Sequence, residues 1–162
     1  MNRRTALKLS LVAAASPVLL MSNAHAGKGK GPTYIDKKGR AIRGYDTVAY
    51  FTENKPVKGN PEFQYEWKHG TWFFSSQENL ELFKASPEKY APQYGGYCAY
   101  AIAIDQLVPI DPTQFTVLDG KLYLNYSPRI QRRWDKNRTA YLIDSEKNWP
   151  SLIAKINANY NS

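Results

Sequence analysis

Three side chains in this sequence are of types that bind soft metals or attack electrophiles: Cys98, His69 and, as a supporting carboxylate, Asp46. Cys98 ends the run Tyr94-Gly95-Gly96-Tyr97-Cys98, and a helix opening near Tyr97 would stabilise its thiolate. With His69 as base, that thiol would be a nucleophile; the alternative is a small Cys buried among Tyr94, Tyr97 and Tyr100. His69 adjoins Gly70, where an exposed turn histidine is the plain reading. A structural zinc site wants four ligands, mostly thiolate or imidazole, and copper(I) prefers thiolate and thioether. Beyond residue 26 the sequence holds one Cys, one His and no Met. Carboxylates such as Asp46 or Asp105, or a second Cys98 across a homodimer, would have to complete the shell. The candidate ligands for a transition metal ion are therefore Cys98, His69 and Asp46.

The same residues suggest a pocket. Gly44-Tyr45-Asp46 and Tyr94–Cys98 each gather Gly with aromatic and polar groups where regular structure breaks, and loops held by a scaffold are where binding residues concentrate. Gly95 and Gly96 let backbone come close to a ligand. Tyr45, Tyr94 and Tyr97 would wall the pocket, Asp46 would supply charge and Cys98 the soft atom. Such a site requires the Asp46 carboxylate and the Cys98 sulfur to face one cavity that admits solvent. The Gly pair is not a phosphate loop, since it lacks the Walker spacing and a following Lys-Ser/Thr.

The elements that must position these residues are short. Thr47–Phe51 is rich in β-branched and aromatic residues and predicts a strand. Phe63–Trp67 alternates apolar with polar, and with Thr71–Phe74 it predicts a hairpin turning at His69-Gly70. Phe115–Leu118 and Lys121–Asn125 predict a second hairpin on Asp119-Gly120. Ser75 with Glu78 reads as a capping box. Ser86-Pro87 and Ser127-Pro128 read as helix starts, and Leu152, Ile153 and Ile156 as one helical stripe. The expected fold is α+β, a single small domain of antiparallel hairpins packed with short helices. No internal repeat is apparent.

The first 26 of the 162 residues predict a twin-arginine-type signal peptide: Arg3-Arg4, an apolar run from Leu9 to Met21 and Ala24-His25-Ala26. The run is too short to span a bilayer, and no Cys follows it to take a lipid. Residues 27–40 read as a flexible leader and 41–160 as the domain, periplasmic or secreted. Without Arg3, Arg4 and Lys8, 19 of the 22 basic residues remain against 14 acidic ones, a net charge of +5. The cluster Arg129, Arg132, Arg133, Lys136 and Arg138 reads as a solvated helix face rather than a nucleic-acid site outside the cytoplasm.

Longer stretches, Gly44–Phe51, Trp72–Ser76, Pro87–Tyr90, Tyr90–Ala99, Asp119–Asn125 and Asn148-Trp149-Pro150, resemble the YHS domain family and its exported bacterial branch. The resemblance implies heavy-metal handling. Metal-binding members carry Cys or His in the segment matching Phe74-Ser75-Ser76; here Ser75 and Asn79 stand in their place, so the inherited site looks vacated. The reading is an exported binding protein, with metal or a metal-linked ligand expected. A thiol enzyme using Cys98, or a structural protein with a periplasmic protein partner, are the alternatives. Neither a nucleic acid nor a membrane anchor is expected.

Overall fold

The computed structural model describes residues 31–160, so the expected signal peptide and the start of the leader lie outside the described residues. Its first hairpin pairs β1 (Asn60–Trp67) with β2 (Gly70–Phe74), antiparallel, with Tyr65 opposite Trp72. Phe63, Tyr65 and Trp67 are half-buried and alternate with exposed Glu62, Gln64 and Glu66, the period of two that a sheet with one wet face imposes. The turn lies one residue earlier than predicted. Lys68 and His69 take φ of 45° and 67°, the left-handed pair of a tight hairpin, and Gly70 begins β2. Gly70 is small because a Cβ there would sit 3.3 Å from that of Ala41.

The second hairpin, β3 (Asp111–Leu118) with β4 (Lys121–Asn125), turns on Asp119-Gly120 as predicted, with φ of 51° and 70°. Its Leu122 and Leu124 are buried. Both sheets have two strands, and the chain is an α+β domain of antiparallel hairpins and short helices, as the patterning implies.

Two local assignments need correction. Thr47–Phe51 is not a strand: the Asp46 carboxylate accepts the N–H groups of Val48 and Ala49 at 2.8 and 3.3 Å, and α1 (Ala49–Thr52) follows. A local side-chain acceptor outweighs β propensity here. α2 (Gln77–Ala85) is capped by Ser76, which accepts from the Asn79 N–H at 3.1 Å; Ser75 bonds elsewhere. Then come α3 (Pro87–Tyr90), α4 (Ala99–Ala103), α5 (Pro128–Lys136) and α6 (Arg138–Tyr160). Ser127 caps α5 as predicted. α6 buries Leu152, Ile156 and Tyr160. None of the described helices is long and apolar enough to cross a membrane.

The backbone also contains a repeat that the sequence hides. Ile42, Arg43 and Gly44 form a left-handed turn with φ of 46°, 55° and 81°; Tyr94, Gly95 and Gly96 form another with 55°, 61° and 80°. Each turn leads through an extended Tyr (Tyr45, Tyr97) to a residue whose N–H bonds a Val carbonyl: Asp46 to Val57 at 2.8 Å, Cys98 to Val108 at 3.1 Å. A short helix follows, then an eight-residue strand. Its register shifts between Asn60 and Gln64 in one unit and between Asp111 and Phe115 in the other. A five-residue strand and a Ser-capped nine-residue helix complete each unit. Phe83 and Trp134 then fill matching, fully buried places. The domain is two copies of one unit sharing a core.

Residues 31–40, expected to be a flexible leader, are tied into this core. The Tyr34 N–H donates to the Gly95 carbonyl at 2.8 Å, and the Tyr97 hydroxyl donates to the Gly31 carbonyl at 2.7 Å. Pro32 lies so close that a Cβ on Gly95 would meet its carbonyl oxygen at 2.1 Å, which leaves only glycine at that position. Asp36 closes a loop with Arg40, whose Nε and Nη2 reach Asp36 Oδ2 at 2.9 and 2.6 Å. Burial pushes the Asp36 carboxyl up, but the Arg40 side chain and the N–H groups of Arg40 and Lys38 together hold it below its ordinary value. A depressed acid stabilises the fold above its unfolded pKa and loses that contribution as pH falls through the folded value. Asp36→Asn should therefore cost about 1 kcal/mol at neutral pH, given partial solvent screening. In urea titrations across pH, the gap from wild type should close on acidification below the ordinary aspartate range.

Candidate functional site

Asp46 is fully buried and its two oxygens are occupied. Oδ1 caps α1, while Oδ2 accepts from the Ser75 N–H, the Ser75 hydroxyl and the Asn79 amide, each at 2.7 Å. This is structural chemistry: one carboxylate fastens the end of β2 and the first turn of α2 to α1. Ser75 and Asn79, at the positions where metal-binding relatives of the resembled family would carry soft ligands, serve as donors to it.

Cys98 is 1% exposed. Its thiol lies 3.5 Å from Asn125 Oδ1, an oxygen that also accepts the Tyr100 N–H at 3.1 Å. Asn125 is itself buried and donates to Gln131 at 2.9 Å. Burial pushes the Cys98 thiol above its ordinary pKa, with N–H groups of Ala101, Tyr126 and Tyr100 offsetting only part of the effect. The residue precedes a helix as anticipated, yet α4 spans only Ala99–Ala103, and desolvation outweighs whatever its N-terminus contributes.

The expected single pocket is thus divided. Neither Asp46 nor Cys98 lines either of the two cavities described here. Tyr45 and Gly44 face one of them; Tyr94, Gly95 and His69 face the other. Gly96 and Tyr97 belong to neither, and Tyr97 packs edge-on against Tyr34, ring centroids 5.7 Å apart. The metal implied by the resemblance does not fit the residues present. Both Asp46 oxygens carry hydrogen bonds, Cys98 is sealed, and among the described residues no group of three or more His, Cys, Asp or Glu side chains is placed to hold an ion.

The cavity at Tyr94 is a cleft of about 450 Å³ between the β1–β2 turn, the Tyr94-Gly95 turn and α6. Trp67, Trp72, Tyr94 and Trp149 supply its aromatic lining. Trp67 and Trp72 stand edge to face with centroids 5.6 Å apart, and Tyr94 meets Trp149 at 5.8 Å. The Trp72 indole N–H is satisfied by the Trp67 carbonyl at 2.9 Å, and the Tyr94 hydroxyl by Glu146 at 3.0 Å. Burial, then Glu146, raises the Tyr94 pKa, so it remains a neutral phenol. At the rim the Lys68 ammonium lies 4.4 Å from the centre of the Trp67 ring and 2.6 Å from Glu88. His69 sits beside them, its ring 5.1 Å from that of Tyr160.

The volume, several hundred Å³, suits a small-molecule seat, and the lining mixes aromatic faces with polar groups. Sequence reasoning found Tyr94, Gly95 and His69 but missed Trp67, Trp72, Glu88 and Trp149. The alternation that puts Trp67 and Trp72 in a hairpin does not say what their faces meet. The only pointer to Trp149 was the Asn148-Trp149-Pro150 segment. No chain-local signal joins it to Trp67, because only tertiary packing brings the two to one cleft.

The sealed thiol yields a direct check. In native protein at neutral pH, labelling of Cys98 by a thiol reagent should run at least roughly a thousandfold slower than in the unfolded chain, because it requires an opening of the core. A stopped-flow disulfide-exchange assay with and without denaturant reads this ratio; native labelling at the unfolded rate would show an accessible nucleophile.

No curated protein and no solved structure gives a significant match to the chain. The family model of the YHS domain matches residues 48–94, a span that opens at the cap of α1 and closes in the left-handed turn of the second unit. The chain therefore carries a YHS domain, centred on its first structural unit.

Proposed function

We propose that this YHS-domain chain is an exported, non-catalytic binding protein that seats a small organic ligand with a flat apolar part in the cleft lined by Trp67, Trp72, Tyr94 and Trp149. The observation that carries the reading is the cleft itself, about 450 Å³ with four aromatic side chains in its lining beside polar groups such as Lys68, Glu88 and Gln93. Offset and edge-on contacts with aromatic faces favour a planar guest. Burial of Cys98 and the load on Asp46 speak against a thiol enzyme built on those residues. A metal would enter this seat as part of the ligand, where His69 is the imidazole of the lining.

The test uses prodan, a neutral naphthalene fluorophore, as a probe of the cleft. One equivalent should bind per chain with a blue-shifted emission. Asn157→Trp, an exposed α6 position that faces the cleft, should block it and weaken binding about tenfold or more without lowering Tm. Unchanged binding in that variant would place the probe elsewhere and remove the support for the cleft. Elemental analysis of natively exported protein completes the test: one retained metal per chain, lost in His69→Ala, would make the ligand a metal complex.

Export rests on Arg3-Arg4, the apolar run and Ala24-His25-Ala26. Mature protein should begin at Gly27, and replacing Arg3 and Arg4 together with Lys should hold the precursor inside the cell. Normal export of that double variant, followed by immunoblotting of cell fractions, would assign the general secretory route instead.

A further inference from the structure

The two units bear different faces at the same place, and the difference points to a second site. In the second unit the face of the left-handed turn is covered by the chain's own segment Gly31–Tyr34, bonded to the Gly95 carbonyl and the Tyr97 hydroxyl. In the first unit no described segment covers the corresponding face. A groove of about 550 Å³ lies there, lined by Arg40, Arg43, Gly44, Tyr45, Lys58 and Asp111 among others.

By register, Arg40 corresponds to Pro92, Arg43 to Gly95, and Lys58 to Pro109. Three cations thus occupy positions that are neutral in the covered unit. Tyr45 stands where Tyr97 donates its hydroxyl to an oxygen. Arg40 is committed to Asp36, and the one carboxylate of the groove, Asp111, turns Oδ1 to the N–H and hydroxyl of Thr113. Arg43 and Lys58 are both exposed. Among the described residues the Arg43 guanidinium makes one long hydrogen bond, 3.5 Å, to the Ile110 carbonyl.

Arg43 is also held at φ 55°, next to Ile42 at 46°. Positive φ is unfavourable for side chains with a Cβ and for a β-branched residue most of all. The matching Gly95 avoids that strain and is required there by the close approach of Pro32. An arginine kept in a strained backbone position at the mouth of an open groove is an outlier of the kind that marks ligand sites.

We propose that this groove binds a small multivalent oxyanion, a polycarboxylate or a phosphate compound, with Arg43 and Lys58 taking the charge and the Tyr45 hydroxyl donating to one oxygen. Guanidinium and phenol groups suit oxygen acceptors, and the groove is wide enough for more than one acid group.

The experiment titrates the full-length mature chain with citrate and, separately, with inorganic pyrophosphate, followed by calorimetry at low salt. At least one probe should bind with one site per chain; which one binds more tightly separates carboxylate from phosphate recognition. Arg43→Gln and Lys58→Gln should each weaken it about tenfold, and Tyr45→Phe by a few-fold. Arg129→Gln, which removes an equal charge from exposed α5, should leave the affinity unchanged. Arg43→Gly suits the left-handed backbone, so it should raise Tm while weakening binding about as much as Arg43→Gln, which separates the binding role from folding. Absence of binding by both probes, or an equal loss in Arg129→Gln, overturns the proposal. The cleft at Trp67 and Trp149 is independent of this result.

Discussion

A single buried carboxylate organises the YHS unit. Five donors converge on Asp46: two N–H groups at the start of α1, the N–H and hydroxyl of Ser75 at the end of β2, and the Asn79 amide in α2. Hydrogen bonds to a charged acceptor are worth about 1.5–3 kcal/mol each, and desolvating a carboxylate without them would cost more. The arrangement is therefore all or nothing. It explains why a sequence of strand-forming residues after Asp46 turns into helix, and why Ser75 is unavailable to cap α2. Thr47 adds a further tie, its hydroxyl donating to the Tyr90 carbonyl at the end of α3.

The second unit achieves the same geometry with neutral groups. Where the first has Asp46, it has Cys98, and the fastening is moved to Asn125, whose oxygen receives the Cys98 thiol and the Tyr100 N–H while its amide reaches Gln131 in α5. The chain thus holds one charged hub and one uncharged hub at matching places in two units. The units share a core, but one exposes its turn to solvent and the other closes it with residues 31–34. The two units differ at their faces while their backbones stay alike.

Much of the fold was legible because local signals dominated it. Asp119-Gly120 is a turn in any context, Ser127-Pro128 starts a helix on its own chemistry, and the alternation through Phe63–Trp67 marks one wet face. Errors arose where distant groups decide. Gly70 looked like a turn residue but is a packing residue against Ala41. Residues 31–40 read as leader because their partners, Gly95 and Tyr97, lie some sixty positions away in sequence. The repeat is hidden in the sequence because the aligned units share little beyond Gly44/Gly96, Tyr45/Tyr97, Ala49/Ala101, Val57/Val108, Pro61/Pro112 and Ser76/Ser127, while their left-handed turns and strand registers coincide. Of the candidate site, the polar and glycine-rich positions were found but their grouping was not. Asp46 and Cys98 carry reactive groups, yet both are consumed in holding the structure.

Pro150 sits inside α6, and its position divides that helix by mechanical role. N-terminal to it, Ser145 donates to the Ala99 carbonyl and the Asn148 amide donates to the carbonyls of Ile102 and Ala103, pinning α6 to α4. C-terminal to it, Ile153 and Asn157 form a wall of the aromatic cleft. Proline brings no N–H to the ladder, so the helix is weakest in bending at that boundary. One end of the helix is pinned by hydrogen bonds, while the other lines the cleft and buries Leu152, Ile156 and Tyr160. The shape of the cleft wall is therefore tied directly to how well those three side chains fill the core.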